Sequence, residues 1–178
     1  TIISPQDITV EAIDPTMNYI DLGELDVSDS VSVESITNDK PITFPLGSTT
    51  VMWTVIDTSG NTSQVSQVVT LVDTTPPEIF APSDIVAEAT GLSSTMIGLG
   101  QATAHDIIGI ASITEYQPTF FILGETTVTW TATDTSGNSA SATQTVTIVD
   151  TTAPSITAPD SIIAEAISAD SNTVALGN

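Results

Sequence analysis

The chain has 178 residues, of which 22 are acidic and one is basic, so its formal charge is −21. A surface of this sign repels nucleic acid and anionic membranes, and neither is expected as a partner. Because 40% of the residues are hydrophobic and only 13% are charged, the chain is too apolar for an acidic disordered tail. Cysteine is absent, which excludes a disulfide framework and thiol chemistry.

No apolar run approaches the roughly 18 residues that a membrane span requires, so direct membrane insertion is not expected. No signal peptide opens the chain, and residues 1–4 already belong to a repeat described below. We therefore expect any targeting segment to have been removed or to lie outside this sequence.

The first 45 residues alternate short apolar stretches with Gly, Pro and Asp. Residues 2–12 predict a first strand pair, broken at Pro5, which an edge strand can carry. Residues 19–22 predict a second strand, and residues 31–36 predict a third. No window shows a sustained period of 3.6 residues, so helices are not expected.

The clearest element is a hairpin within residues 46–77. Val51 and Trp53 alternate with polar residues, which is typical of a strand with one buried face, and Trp53 is expected to fill the core. Residues 57–61, Asp-Thr-Ser-Gly-Asn, predict a turn. Residues 73–77, Asp-Thr-Thr-Pro-Pro, end the return strand because proline has no N–H to donate.

The hairpin returns 77 residues later, at residues 123–154. With that offset and no gaps, roughly 35 of 77 positions are identical, which is a strong internal repeat. Residues 155–178 begin a third copy. The sequence therefore predicts two domains, residues 1–77 and 78–154, followed by a partial repeat that belongs to a longer array or is completed by another molecule.

Each repeat holds about seven short stretches of strand character between Gly, Pro, Asp and Asn turns. This spacing predicts an all-β fold of tandem immunoglobulin-like β-sandwich domains.

The repeated motifs resemble one family. The pattern runs I-x-x-P-x-D-I-x-x-E-A, then F-x-L-G-x-T-T-V-x-W-T-x-x-D-T-S-G-N, then V-D-T-T-x-P, and it is similar to the HYR (hyalin repeat) family. The resemblance implies an immunoglobulin-like fold in secreted or cell-surface proteins, often in tandem arrays associated with adhesion. It implies no catalytic residues. The tandem, cysteine-free, lysine-poor form is similar to prokaryotic, particularly archaeal, surface proteins.

The inventory of catalytic groups is poor. His105 is the only histidine, and its counterpart in the first repeat is Ser28. The sequence has no G-x-S-x-G elbow, phosphate loop or H-E-x-x-H motif. The sequence does not exclude a pair of carboxylates that hydrolyses glycosides. However, acidic residues that recur once per repeat favour a structural role over a catalytic one.

Acidic residues recur beside turns at matching positions, which favours Ca²⁺, a cation that takes 6–8 oxygen ligands. In a sandwich domain the arriving linker, the polar loop that holds Asp106 and the turn of the main hairpin lie at the same end. Asp73 of the linker, Asp106 of the loop and Asp134 of the turn are therefore expected to converge. The alternative is that these acids only cap their own turns. The candidate ligands are Glu11, Asp29, Asp57, Asp73, Glu88, Asp106, Asp134, Asn138 and Asp150.

One N-x-S/T sequence, Asn61-Thr62-Ser63, lies on a predicted exposed turn and is a candidate glycosylation site. The leading functional hypothesis is a non-catalytic rod of an extracellular filament, surface layer or adhesive stalk, with junctions stiffened by Ca²⁺ and with copies of itself as partners. The alternative is a spacer or binding module within a larger secreted enzyme or adhesin.

Overall fold

The computed structural model describes residues 2–91, 95–167, 169 and 173–174. These residues form strands and no helix, which confirms the predicted all-β class. The described part of the chain accordingly holds no helix of the length and hydropathy needed to cross a bilayer. The strands are β1 (Ile8–Glu11), β2 (Val33–Asn38), β3 (Gly47–Asp57), β4 (Thr62–Val72), β5 (Glu78–Phe80), β6 (Ile85–Glu88), β7 (Thr103–His105), β8 (Ile110–Tyr116), β9 (Gly124–Asp134) and β10 (Ser139–Val149).

Two four-stranded sheets have the same strand order. The first runs β1-β4-β3-β2 and the second β6-β10-β9-β8, with β5 and β7 forming a separate two-stranded sheet. The central hairpins, β3–β4 and β9–β10, are antiparallel. The strands β1 and β6 lie parallel to β4 and β10, with Ile8 opposite Val69 and Ile85 opposite Val146.

The β3–β4 hairpin follows the predicted alternation. Val51, Trp53 and Val55 are buried, and the residues between them are more exposed. At the turn, the Asp57 carboxylate accepts hydrogen bonds from the N–H groups of Ser59 and Asn61 at 2.8 and 2.9 Å. Gly60 has a φ of 84°, which an L side chain rarely adopts, so the Gly of the D-T-S-G-N motif is required there.

A second layer of loops and short bridges covers one face of each sheet. In the first repeat Leu22, Leu25 and Phe44 pack with the buried residues of β3 and β4. In the second repeat Leu99 and Phe121 occupy the matching places. These layers enclose the cores and confirm the immunoglobulin-like sandwich class.

A buried glutamine joins the layers in each repeat, and the sequence analysis did not predict it. Gln67 is 1% exposed and accepts a hydrogen bond from the Trp53 indole Nε1 at 3.0 Å. Its amide donates to the carbonyls of Gln6 at 2.8 Å and Leu22 at 3.3 Å. In the second repeat Gln144 bonds Trp130 and the carbonyls of Ser83 and Leu99 in the same way.

Two expectations for the first repeat were wrong. Residues 19–22 form no strand; the nearest pairing is a single bridge between Asn18 and Phe44. The buried Asn18 side chain instead accepts from the N–H groups of Ile13 and Asp14, and these local bonds fix a loop. The expected strand pair at residues 2–12 is reduced to β1 and one bridge between Ile2 and Val27.

Residues 155–167 contain no strand and are all exposed, with Ile163 at 99%. Val174, expected to continue the third copy, is also exposed, and Leu176 lies outside the described residues. The division into domains 1–77, 78–154 and a partial repeat at 155–178 stays a prediction.

Replacing Trp53 by alanine is expected to lower the free energy of unfolding by about 3–5 kcal/mol, the usual cost of emptying a buried aromatic site. The same range is expected for Trp130→Ala. Urea unfolding followed by circular dichroism measures both. Met52→Ala, which removes a more exposed side chain of the same strand, is the control and should cost far less. A native fluorescence maximum typical of indole in water would contradict the buried position.

Candidate metal centre at the linker

The linker that leaves β4 is held by one carboxylate. The two oxygens of Glu11, at the end of β1, accept from the N–H and hydroxyl of Thr74 at 2.7 and 3.0 Å. The N–H and hydroxyl of Thr75 donate to the Glu11 carboxylate at 3.1 and 2.9 Å. Because β1 lies parallel to β4, its last residue reaches the point where the ladder ends and the linker begins.

These hydrogen bonds favour the charged carboxylate. The bond from the Thr74 N–H is the largest influence and holds the pKa of Glu11 below its ordinary value, with smaller contributions from Thr75. Glu88 binds Thr151 and Thr152 after β10 in the same way, and its pKa is lowered for the same reason.

Three carboxylates converge where the linker meets the second repeat. Asp73 comes from the linker, Asp106 from the loop after β7, and Asp134 from the end of β9. One oxygen of each lies within 4.8 Å of the others, and Asp134 is 1% exposed while the other two are half-buried. The structure thus brings together the three residues that loop order predicted to converge.

Asp134 is held by its own turn. Its Oδ1 accepts from the N–H groups of Ser136 at 2.9 Å and Asn138 at 2.8 Å. Its Oδ2 accepts from the Asn138 amide at 2.9 Å. Burial acts to raise the pKa of Asp134, but the bonds from Asn138 and Ser136 outweigh it and the pKa is lowered.

The other two carboxylates are oriented by neighbouring backbone and side chains. Asp106 accepts from the N–H groups of Ile108 at 2.8 Å and Gly109 at 2.9 Å. Asp73 Oδ2 accepts from the Ser136 hydroxyl at 2.6 Å, and its carbonyl accepts from the Asn138 amide at 3.0 Å. The Asp-Thr-Ser-Gly-Asn turn of the second repeat therefore binds the linker as well as closing its own hairpin.

Three like charges at this spacing repel one another, and the repulsion is strongest where one of them is buried. The sequence supplies a single basic side chain, Lys40, to offset 22 acids. Carboxylate oxygens converging from several loops are the donors that Ca²⁺ prefers, in irregular geometry and with carbonyls or water filling the remaining positions. The donor set therefore fits Ca²⁺.

Of the remaining candidates, only Asn138 lies beside the three carboxylates. Glu11, Glu88 and Asp150 belong to the linker bonds, outside the three-carboxylate group. Asp29 and Asp57 line one cleft in the first repeat. Asn138 contributes its amide as a donor to Asp73 and Asp134.

Two features were missed by the sequence analysis. The Ser136 hydroxyl and the paired threonines after Asp73 carry bonds at the junction. The recurrence of D-T-S-G-N and D-T-T in both copies could have identified these residues, because the Ser and Thr of each motif recur together with its Asp and Asn. The candidate glycosylation site Asn61 is exposed, and its amide donates to Asp57 at 2.7 Å.

Comparison with known proteins finds one family model and two relatives similar to this chain. Residues 72–148 match the family model of the HYR domain, which supports the predicted resemblance. A protein called Hyalin from Strongylocentrotus purpuratus is 38% identical over 155 residues, covering 82% of this chain and 13% of that protein. Hyalin from Lytechinus variegatus is 36% identical over 147 residues, covering 78% of this chain and 28% of that protein.

The chain thus spans less than a third of the length of the curated relatives it matches. Both are sea urchin proteins, so the expected prokaryotic or archaeal origin gains no support. Similar solved structures include the fibronectin(III)-like modules of CbhA from Clostridium thermocellum, at 14% identity and a TM-score of 0.35, covering 84% of this chain and 94% of that one. The EC1-2 segment of human protocadherin-24 has 10% identity and a TM-score of 0.35, covering 85% and 98%.

The Glu11 linker bonds predict a pH dependence of stability. Because the folded-state pKa of Glu11 lies below the ordinary value of 4.5, its contribution is fully present above about pH 4.5. It is lost as the pH falls through the lowered pKa. Urea unfolding of wild type and Glu11→Gln should therefore differ most near neutral pH and converge in acid.

Glu34→Gln, which removes an exposed carboxylate of β2, is the charge-matched control and should show no such convergence. A difference between wild type and Glu11→Gln that stays constant from neutral to acid pH would contradict the argument.

Proposed function

We propose that the chain is a non-catalytic, extracellular adhesion-type module whose repeats are joined by a Ca²⁺-binding junction. The observation that carries the proposal is the convergence of Asp73, Asp106 and Asp134 within 4.8 Å, in a chain with one basic residue. The HYR match of residues 72–148 and the similarity to the two Hyalin proteins support the adhesion class.

The HYR assignment extends to the segments on either side of residues 72–148. Residues 1–77 repeat the matched segment with the same strand order and the same buried Trp–Gln pair, which supports assigning them as a second HYR domain. Residues 155–178 begin a third, and the chain is part of a tandem array. Such arrays are quasi-one-dimensional, because each repeat contacts only its neighbours.

Calcium would stiffen this array at its joints. The linker is already fixed to the first repeat by Glu11 and to the second by Ser136 and Asn138. What opposes a rigid joint is the repulsion among the three carboxylates, and a divalent cation between them converts that repulsion into attraction. A rod of this kind suits a filament, a surface layer or an adhesive stalk.

The second candidate is a spacer or binding module within a larger secreted protein. It is favoured by the small share of the relatives that the chain covers, 13% and 28%. Neighbouring coding sequence distinguishes the two: further HYR repeats support the rod, whereas an adjoining catalytic domain supports the spacer.

Removing Ca²⁺ is expected to lower the melting temperature by several degrees, because an ion that binds only the folded state stabilises it by mass action. Scanning calorimetry of the 178-residue chain with Ca²⁺ and with EDTA measures the shift. Asp106→Asn removes one ligand and should abolish most of it.

Asp160→Asn, a substitution of the same kind at an exposed position, is the control and should keep the full shift. Superimposable wild-type melting curves with and without Ca²⁺ would overturn the site.

A further inference from the structure

A cleft opens in the second repeat between the edge strand β8 and the segment that leads into β7. Its volume is about 300 Å³, and its lining residues are Gly100, Gln101, Ala102, Ile113, Glu115 and Trp130. Glu115 lies opposite Trp130 in the pairing of β8 with β9, and side chains at paired positions share one face of a sheet. A carboxylate on an edge strand therefore lies on the same face as a core tryptophan.

One difference between the two repeats leaves this space open. The counterpart of Ala102 in the first repeat is Leu25, which is 8% exposed and belongs to the core around Trp53. Ala102 is half-buried and lies against the edge of the second core. Because alanine lacks most of the leucine side chain, the second repeat keeps open volume beside Trp130 at a place that the first repeat fills.

The walls of the cleft are held by the frame that both repeats share. The Gln144 amide donates to the carbonyl of Leu99 at 3.1 Å, and its oxygen accepts from the Trp130 indole at 3.3 Å. Gly100 follows with a φ of 87°, and a Cβ added there would lie 3.4 Å from Pro82. The segment then continues into β7, which pairs with β5. A cleft fixed in this way needs little ordering when a ligand binds.

Two polar side chains at the cleft are available to a ligand. Glu115 and Gln101 are both exposed, and no hydrogen bond joins either side chain to another described residue. In the first repeat the counterpart of Glu115 is Asn38, whose Oδ1 accepts from the N–H of Lys40 at 3.3 Å. Lys40 is also the only lysine or arginine of the sequence, so the second repeat supplies neither residue to neutralise Glu115.

These groups define the chemistry of a ligand that would fit. A carboxylate forms its strongest hydrogen bonds with a charged donor, and an ammonium group supplies one. An alkyl stem can cover apolar surface such as that of Ala102 and Ile113, and an aromatic ring such as that of Trp130 attracts a cation. An anion would be repelled by Glu115 and by the charge of −21. A wholly apolar ligand would take water from the carboxylate without replacing its hydrogen bonds.

We propose that this cleft binds an alkylammonium group, with its charge on Glu115 and its stem in the space that Ala102 leaves beside Trp130. Two sources offer this group: the lysine side chain of a partner protein and a free aliphatic amine. The cleft shares no residue with the three-carboxylate junction, so the two sites are tested separately.

Titration of the 178-residue chain with n-butylamine, followed by ¹⁵N–¹H NMR, tests the site. The amine is charged at neutral pH, as lysine is with a pKa of about 10.4. At an ionic strength where the Debye length is about 8 Å, general attraction to the acidic surface is weakened. The signals of the Trp130 indole N–H and the Gln101 amide should shift and saturate, with a dissociation constant on the order of 1 mM. The Trp53 indole in the same sample should not respond, and uncharged n-butanol should move neither indole signal.

Ala102→Leu places the residue of the first repeat in the cleft and leaves every charge unchanged, so it should abolish the saturable shift. Because Leu25 occupies the same frame, this variant should fold and melt at or above the wild-type temperature. Glu115→Gln should weaken binding by about tenfold, the usual contribution of a hydrogen bond to a charged group. Glu125→Gln removes an exposed carboxylate of β9 outside the cleft and is the control, which should bind like wild type.

A capped peptide with a single internal lysine distinguishes the two sources. Binding at least as tight as that of n-butylamine supports the lysine side chain of a partner protein. Binding of n-butylamine without binding of the peptide supports a free amine, because the cleft then admits the group only without a chain attached. The alkylammonium site holds in both cases.

Equal shifts in wild type and Ala102→Leu would overturn the site, since they would reflect general attraction of cations to an acidic surface. A Trp130 signal that does not respond to n-butylamine would overturn it as well. If Ala102→Leu does not fold, the two glutamine variants decide, because equal affinities of Glu115→Gln and Glu125→Gln would exclude the proposed ion pair.

Discussion

One buried amide in each repeat connects the parts of the sandwich that strand pairing alone would leave separate. Gln67 receives the Trp53 indole N–H from the neighbouring strand and donates to two loop carbonyls, those of Gln6 and Leu22. A buried polar group without partners would cost more than the bonds contribute, so the tryptophan, the glutamine and both loops must be in place together. No described buried polar side-chain atom lacks a partner, which is consistent with this requirement. The apolar residues of the second layer pack over this hydrogen-bonded frame.

At the junction between the repeats, charged groups are likewise held by several hydrogen-bond partners. Glu11 fixes the linker to the repeat that it leaves, and Asp134 with Asn138 forms the surface that receives it. These carboxylates accept hydrogen bonds from backbone N–H groups, hydroxyls and the Asn138 amide rather than from basic side chains, which suits a sequence with one lysine. Hydrogen bonds can orient such groups, but they do not cancel the charge. This difference between orientation and neutralisation is the physical reason for proposing a cation there.

Local patterns predicted the fold better than they predicted the loops. The hairpin was predictable because the alternation around Trp53 and the D-T-S-G-N turn are encoded in adjacent residues. The failed strand at residues 19–22 depends instead on the Asn18 side chain, whose bonds to Ile13 and Asp14 favour a loop over strand pairing. Only Leu22 of that stretch is buried, and a buried residue is compatible with either a loop or a strand.

The candidate site was predictable in the same partial way. Repeat register and loop order predicted that Asp73, Asp106 and Asp134 would lie together, whereas the role of Ser136 could not be read from them. An internal repeat shows which residues are equivalent but not what each one touches. Glu11 illustrates this, since its position was evident and its threonine partners were not. Its metal binding, like that of the other candidates, stays a prediction.

The parallel pairing of β1 with β4 determines how a repeat would respond to tension along the chain. The chain enters the sheet at Ile8 and leaves it at Val72, and the two strands run side by side in the same direction. Pulling the ends apart therefore drives the strands past each other, so that their ladder bonds are loaded in shear and at the same time. A hairpin pulled from its open end would instead unzip one bond after another. The Glu11 bonds to the threonines lie in the same load path, and each repeat is thereby arranged to resist stretching as a unit.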